Sequence, residues 1–188
     1  MKTLRKTAEE AYLKYANKII NRETWIDGFI SGIQYKKEYP QSIELCGLLW
    51  DTENLAIGGY EKDGHHYYTW QEAMDAAKAV GKHLPSCQEW KALCDLGSTW
   101  DDELKGRWFG GNHNSDHKGS LFLPAAGLRY NNSGEFADAS SYGYYWSSSP
   151  YYGGNSNAGN LYFYSGYVSP LRSNNRAYGF SVRCVQNK

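Results

Sequence analysis

Thr69-Trp70-Gln71-Glu72-Ala73, then Gly81-Lys82-His83-Leu84-Pro85-Ser86, then Glu89-Trp90, holds the start and stop signals of two short helices. A threonine followed three residues later by a glutamate can satisfy two orphan N–H groups reciprocally, so Thr69 and Glu72 open the first helix. Ala73, Ala76, Ala77 and Val80 recur at helical spacing as its buried stripe, and Gly81 supplies the stop. Ser86 with Glu89 repeats the device. Trp90, Leu93 and Cys94 line one face of this second helix, and Gly97 ends it.

Upstream of this pair the pattern is extended. An apolar run covers Leu45 to Trp50, Asp51 to Asn54 reads as a polar turn, and Leu55 to Ile57 forms a second run. Asp63-Gly64 before Tyr67-Tyr68 is a hairpin signal, and His65-His66 belongs to that turn. Residues 1 to 38 read as two helices. Leu4, Ala8, Ala11, Tyr12, Tyr15 and Ile19 form the stripe of the first, and Trp25, Phe29 and Ile33 that of the second, with Pro40 as the break that follows. After Gly97 helical periodicity stops, and Gly, Asn, Ser and short apolar runs dominate. The most strand-like pieces are Leu121 to Leu123, Tyr144 to Ser148, Leu161 to Tyr164 and Phe180 to Val185. Two central helices with irregular strands and long loops predict an α+β domain over residues 41–188, preceded by a helical attachment or oligomerisation segment over 1–40.

The chain has 188 residues, 20 basic and 20 acidic, hence no formal net charge. That balance gives no reason to expect nucleic acid or an anionic membrane as partner. The longest apolar runs are far too short to span a bilayer, and no signal peptide is visible, so membrane insertion is not expected. Cysteines occupy positions 46, 87, 94 and 184. Cys87 and Cys94, seven apart on one helix, would lie roughly 10 Å apart at about 1.5 Å per residue, beyond disulfide reach. Free buried thiols are the expectation.

With these elements placed, three further runs complete a resemblance. Phe122-Leu123-Pro124-Ala125-Ala126-Gly127-Leu128-Arg129, Tyr145-Trp146-Ser147-Ser148-Ser149 and Gly179-Phe180-Ser181-Val182-Arg183-Cys184-Val185, with the helix signals above, resemble the formylglycine-generating-enzyme-like branch of the C-type-lectin fold in its bacterial and phage subgroup. Within that subgroup the chain is similar to the variable proteins of diversity-generating retroelements, in which an error-prone reverse transcriptase rewrites adenine positions. Asparagine codons changed at one adenine yield tyrosine or serine, and at both yield glycine. Tyr, Ser, Asn and Gly make 29 of the 40 residues from Ser140 to Gly179, a composition that fits this origin. The resemblance implies a C-type-lectin-like domain with a variable region over about 144–178.

Strand alternation divides that region by itself. In Leu161-Tyr162-Phe163-Tyr164, Leu161 and Phe163 can face a core while Tyr162 and Tyr164 face out. Val168, Phe180 and Val182 join the inward frame. Tyrosine supplies large contact area at low entropy cost, and Ser, Gly and Asn supply adaptable hydrogen bonds, the mixture that binding loops use. The predicted ligand-contacting positions are Tyr151, Tyr152, Ser156, Asn157, Asn160, Tyr162, Tyr164, Tyr167, Ser169, Leu171, Ser173, Asn174, Asn175 and Tyr178.

The chemistry of the related oxidases uses paired cysteines, and here only Cys184 lies in the C-terminal half. Asn112-His113-Asn114-Ser115-Asp116-His117 is dense in potential ligands but matches no EF-hand or zinc spacing, and the sugar-binding signatures of calcium-dependent lectins are absent. Arg183 and Cys184 read as core residues. The expectation is a recognition protein and not an enzyme, with no cofactor. Its partner is an unknown protein or glycan on a cell surface, and it works as a homo-oligomer or in a virion assembly, displayed on a virion or cell surface after cytoplasmic synthesis. The alternatives are a structural or adhesive assembly module, or an oxidoreductase of the formylglycine-generating type.

Overall fold

A computed structural model describes residues 42–111, 117–151 and 156–188. Strands β1 (Ser42–Leu45) and β2 (Leu48–Asp51) form a hairpin, where the sequence had suggested one continuous apolar run. Cys46 and Gly47 turn it, both at positive φ (53° and 78°), as a two-residue hairpin connection requires. β3 (Tyr60–Lys62) and β4 (His65–Tyr67) pair across Asp63-Gly64, the turn that the dipeptide announced.

Helices α1 (Trp70–Ala79) and α2 (Cys87–Asp95) begin where the caps place them. Glu72 Oε2 accepts from the Thr69 amide at 2.8 Å, and Glu89 Oε2 accepts from the Ser86 amide at 2.6 Å. β5 (Ser98–Asp101), β6 (Gly106–Phe109) and β7 (Leu121–Pro124) then form an antiparallel meander, followed by the short pair β8 (Leu128–Arg129) and β9 (Phe136–Ala137). Three long strands, β10 (Gly143–Pro150), β11 (Asn157–Tyr164) and β12 (Tyr167–Asn175), make one antiparallel sheet. Finally β13 (Val185–Asn187) pairs with β2, closing the C-terminus onto the first hairpin.

This architecture overturns the expected α+β, C-type-lectin-like fold class. Thirteen strands in five small antiparallel sheets dominate the described residues, and the two helices are short. Glycine, serine and asparagine are weak strand formers in isolation, so residues 98–175 looked loop-like. Their pairing is set by what packs beneath them, which single-residue propensity does not register. The expected N-terminal helical segment, residues 1–40, lies outside the described residues.

Two apolar clusters hold the frame, and the long sheet lies between them. Tyr145, Leu161 and Phe163 enter the first, with Trp50, Trp90 and Leu93. Trp146 and Ala158 enter the second, with Ala73 and Ala77 of α1 and with Phe180 and Val182. Trp50, Trp90 and Trp146 are fully buried, and each indole N–H donates to a main-chain carbonyl, of Leu45, Trp146 and Tyr68 respectively, which removes the cost of burying that polar atom. Arg183 is buried as well. Its guanidinium donates to the Asp51 carbonyl and twice to Asn54 Oδ1. All four cysteines are free, but of the four expected to be buried only Cys184 is: Cys87 and Cys94 are half-buried, and Cys46 lies exposed on its turn.

Candidate ligand-binding face

The sheet of β10, β11 and β12 presents its aromatic residues by simple alternation. Tyr144 on β10 stands directly opposite Tyr162 on β11, and Tyr164 stands opposite Tyr167 on β12. Their inward neighbours, Leu161 and Phe163, are fully buried, and Val168 packs against the same cluster. The Phe163 ring lies 6.0 Å from Tyr145 and 5.8 Å from Phe109. Gly143 makes room for it, because a Cβ there would run into the ring.

On the outward side five tyrosines form one connected group. Tyr142 stacks on Tyr162 at 5.8 Å and tilts against Tyr164 at 5.6 Å. Tyr144 meets Tyr162 at 5.2 Å, and Tyr167 meets Tyr164 at 5.9 Å. The Arg172 guanidinium lies over the Tyr162 ring, 4.6 Å from its centre. Tyr167 is 47% exposed, while Tyr142, Tyr144, Tyr162 and Tyr164 are half-buried by one another. A shared outward surface therefore exists, one side covered by the frame and the other open.

Burial raises the hydroxyl pKa of Tyr144 above its ordinary value, and the Asp138 carboxylate that accepts its hydrogen bond at 3.0 Å raises it further. Tyr162 is raised by burial and by its tyrosine neighbours. Tyr144 and Tyr162 thus keep their protons at neutral pH, and their hydroxyls, able to donate and accept, lie between the carboxylate of Asp138 and the guanidinium of Arg172.

The other expected contact positions divide. Tyr151, Ser156 and Leu171 are exposed, and Asn157, Ser169, Ser173, Asn174, Asn175 and Tyr178 are half-buried. Asn157 pairs with Asn175 at the far end of β11, seven residues from Tyr164 and so about 23 Å away at roughly 3.3 Å per residue. Those ends cannot serve one small ligand together. Tyr178 sits apart from the five, packed at 5.9 Å on Phe180 and 6.0 Å from Tyr130. Tyr152 lies outside the described residues. Asn160 corrects the expectation, since its side chain is fully buried; Nδ2 donates to the Leu161 carbonyl, and Oδ1 has no hydrogen-bond partner among the described residues. It shares the face of Tyr162, but there Trp146 stands opposite and Phe180 stacks on Trp146 at 4.3 Å, closing that end of the sheet.

Tyr142, Tyr144, Asp138 and Arg172 escaped the sequence reading. The alternation Tyr142-Gly143-Tyr144-Tyr145 carries a period-two signal that could have found the first two.

Residues 95–185 match a family described as a domain of unknown function, DUF8237. No curated protein and no solved structure matches the chain. The matched segment begins at the end of α2 and contains the whole tyrosine face. Among the described residues no helix is long and apolar enough to cross a membrane, and no group of three His, Cys, Asp or Glu side chains is arranged to hold a metal ion. The ligand-dense run at 112–117 lies outside them except for His117, whose ring stacks on Trp108 at 4.4 Å.

Proposed function

We propose that this chain is a recognition protein whose tyrosine face binds a macromolecular target, and that the face is exchanged between relatives by a diversity-generating retroelement. One observation carries the reading: five outward tyrosines form a connected, partly exposed group on a sheet whose inward Tyr145, Leu161 and Phe163 are fully buried. Connected exposed aromatics mark contact surfaces, and half-buried phenols bring area without much entropy loss. Inward residues hold the backbone, so outward ones can change at small cost to stability. The target is a protein or glycan on a cell surface. Display in several copies on a virion or cell surface would multiply weak contacts through avidity.

The test is a displayed library randomised at Tyr162, Tyr164, Tyr167, Ser169 and Arg172, selected against a panel of unrelated proteins. Most members should remain folded, and selection should enrich binders whose sequences differ at these positions. Widespread unfolding, or no enrichment against any target, would sink the reading. The retroelement origin is checked in the genome: a neighbouring reverse-transcriptase gene and a near-copy of the coding segment differing only at adenines are expected.

A further inference from the structure

Beside the tyrosine face lies a recess of about 250 Å³ between the β3–β4 hairpin and β9. This is smaller than the roughly 300–1,000 Å³ of sites that enclose a whole small molecule, and suits a single side chain. Its lining includes Lys62, Asp63, His65, Tyr67, Phe136 and Asp138. The rings of Tyr67 and Phe136 lie 5.0 Å apart, and Tyr67 commits its hydroxyl to the buried Ala126 carbonyl at 2.7 Å. Tyr67 therefore offers the recess its ring.

The charges of the recess are unequal. Lys62 lies 3.6 Å from Asp63, which leaves Asp138 as the carboxylate without a basic partner among the described residues. His65 supplies no compensating charge near neutral pH, since burial lowers its pKa. Asp138 is also firmly placed. It sits at φ 66°, its carbonyl accepts from the amides of Ser141 and Tyr142, and Gly127 packs so closely under residues 137–139 that a Cβ would collide with the Ala137 carbonyl. Its Oδ2 accepts from the Tyr144 hydroxyl, so the same carboxylate borders the recess and the tyrosine face. No Asp or Glu follows it in the sequence.

A fixed carboxylate bordered by aromatic rings is the environment that holds an organic cation, through charge and through the negative faces of the rings. We propose that this recess is a cation subsite of the tyrosine face, taking the ammonium of a lysine side chain on a bound protein. The proposal rests on the recognition reading above, and it adds one fixed point of contact beside positions that vary.

The test is an amide-resonance NMR titration of the full chain with Nα-acetyl-lysine methylamide, and in parallel with the uncharged norleucine analogue. The lysine probe should shift the resonances of Phe136, Asp138 and Tyr144 saturably, with at least tenfold weaker binding of the norleucine probe. Asp138→Asn keeps a left-handed-tolerant residue and an acceptor for Tyr144, and should weaken the lysine probe at least tenfold. Glu103→Gln removes an exposed carboxylate outside the recess lining and should bind like the parent. Equal response to both probes, undiminished binding by Asp138→Asn, loss of binding in Glu103→Gln, or no saturable response would each overturn the subsite. None of these outcomes decides the reading of the five-tyrosine surface, which the library selection tests separately.

Discussion

Tyr144 and Tyr162 face each other across adjacent strands, ring centres 5.2 Å apart, and mark the line where one face of the sheet passes from covered to open. One step away on β10 and β11, the pair Trp146 and Asn160 is fully buried. Along the same strands and on the same side, Phe180 decides the difference, since it stacks on Trp146 and reaches only as far as Tyr144.

Frame and face should separate in stability. Tyr164→Ala or Tyr167→Ala removes a partly exposed ring and should cost about 1 kcal/mol or less, whereas Phe163→Ala empties a fully buried site and should cost about 3–5 kcal/mol. Urea unfolding monitored by circular dichroism measures both. Comparable losses at 163 and 164 would show that the tyrosines belong to the core.

Gly143→Ala should destabilise by about 1–3 kcal/mol, because its new methyl would occupy the space of the Phe163 ring. Combining it with Phe163→Leu should cost less than the sum of the single changes, since the smaller side chain vacates that space. A double-variant cycle by urea unfolding gives the coupling, and strict additivity would argue against this contact.

Arg183→Met keeps the length but strands its half-buried acceptors, the Asp51 carbonyl and Asn54 Oδ1. At about 1–3 kcal/mol for each unsatisfied buried group, a loss of several kcal/mol is expected. Arg183→Lys should recover only part of it, because one ammonium cannot reproduce the forked contact. Thermal unfolding of the two variants ranks them.

Stability should fall on the alkaline side. Burial pushes the thiols of Cys94 and Cys184 up to about 12 from 9.0, and the hydroxyls of Tyr67 and Tyr145 up to about 12 from 10.0. The folded chain thus holds protons that the unfolded chain releases. The stability is fully present below about pH 9, and it is lost as pH rises from there through about 12. The urea midpoint should drop across that window, with tyrosinate absorbance from the buried rings appearing only as the chain unfolds. A midpoint that stays level to pH 12 would contradict this.

Chemistry that acts over a few residues was legible in the sequence. The carboxylates of Glu72 and Glu89 marked both helix starts, Asp63-Gly64 marked its hairpin, and alternation in Leu161-Tyr162-Phe163-Tyr164 sorted inward from outward, because caps, turns and pleats are local geometry. Strand content was not legible, since residues such as Gly159 and Ser173 pair only because an apolar frame lies beneath their sheet. Whether an outward position is open or covered was likewise settled by distant chain. Phe180 stacks on Trp146, which stands opposite the buried Asn160, and the turn at Asp138 places a carboxylate beside rings that alternation alone could not associate with it. Period two assigns a side, but only the packing of remote segments determines what lies over that side.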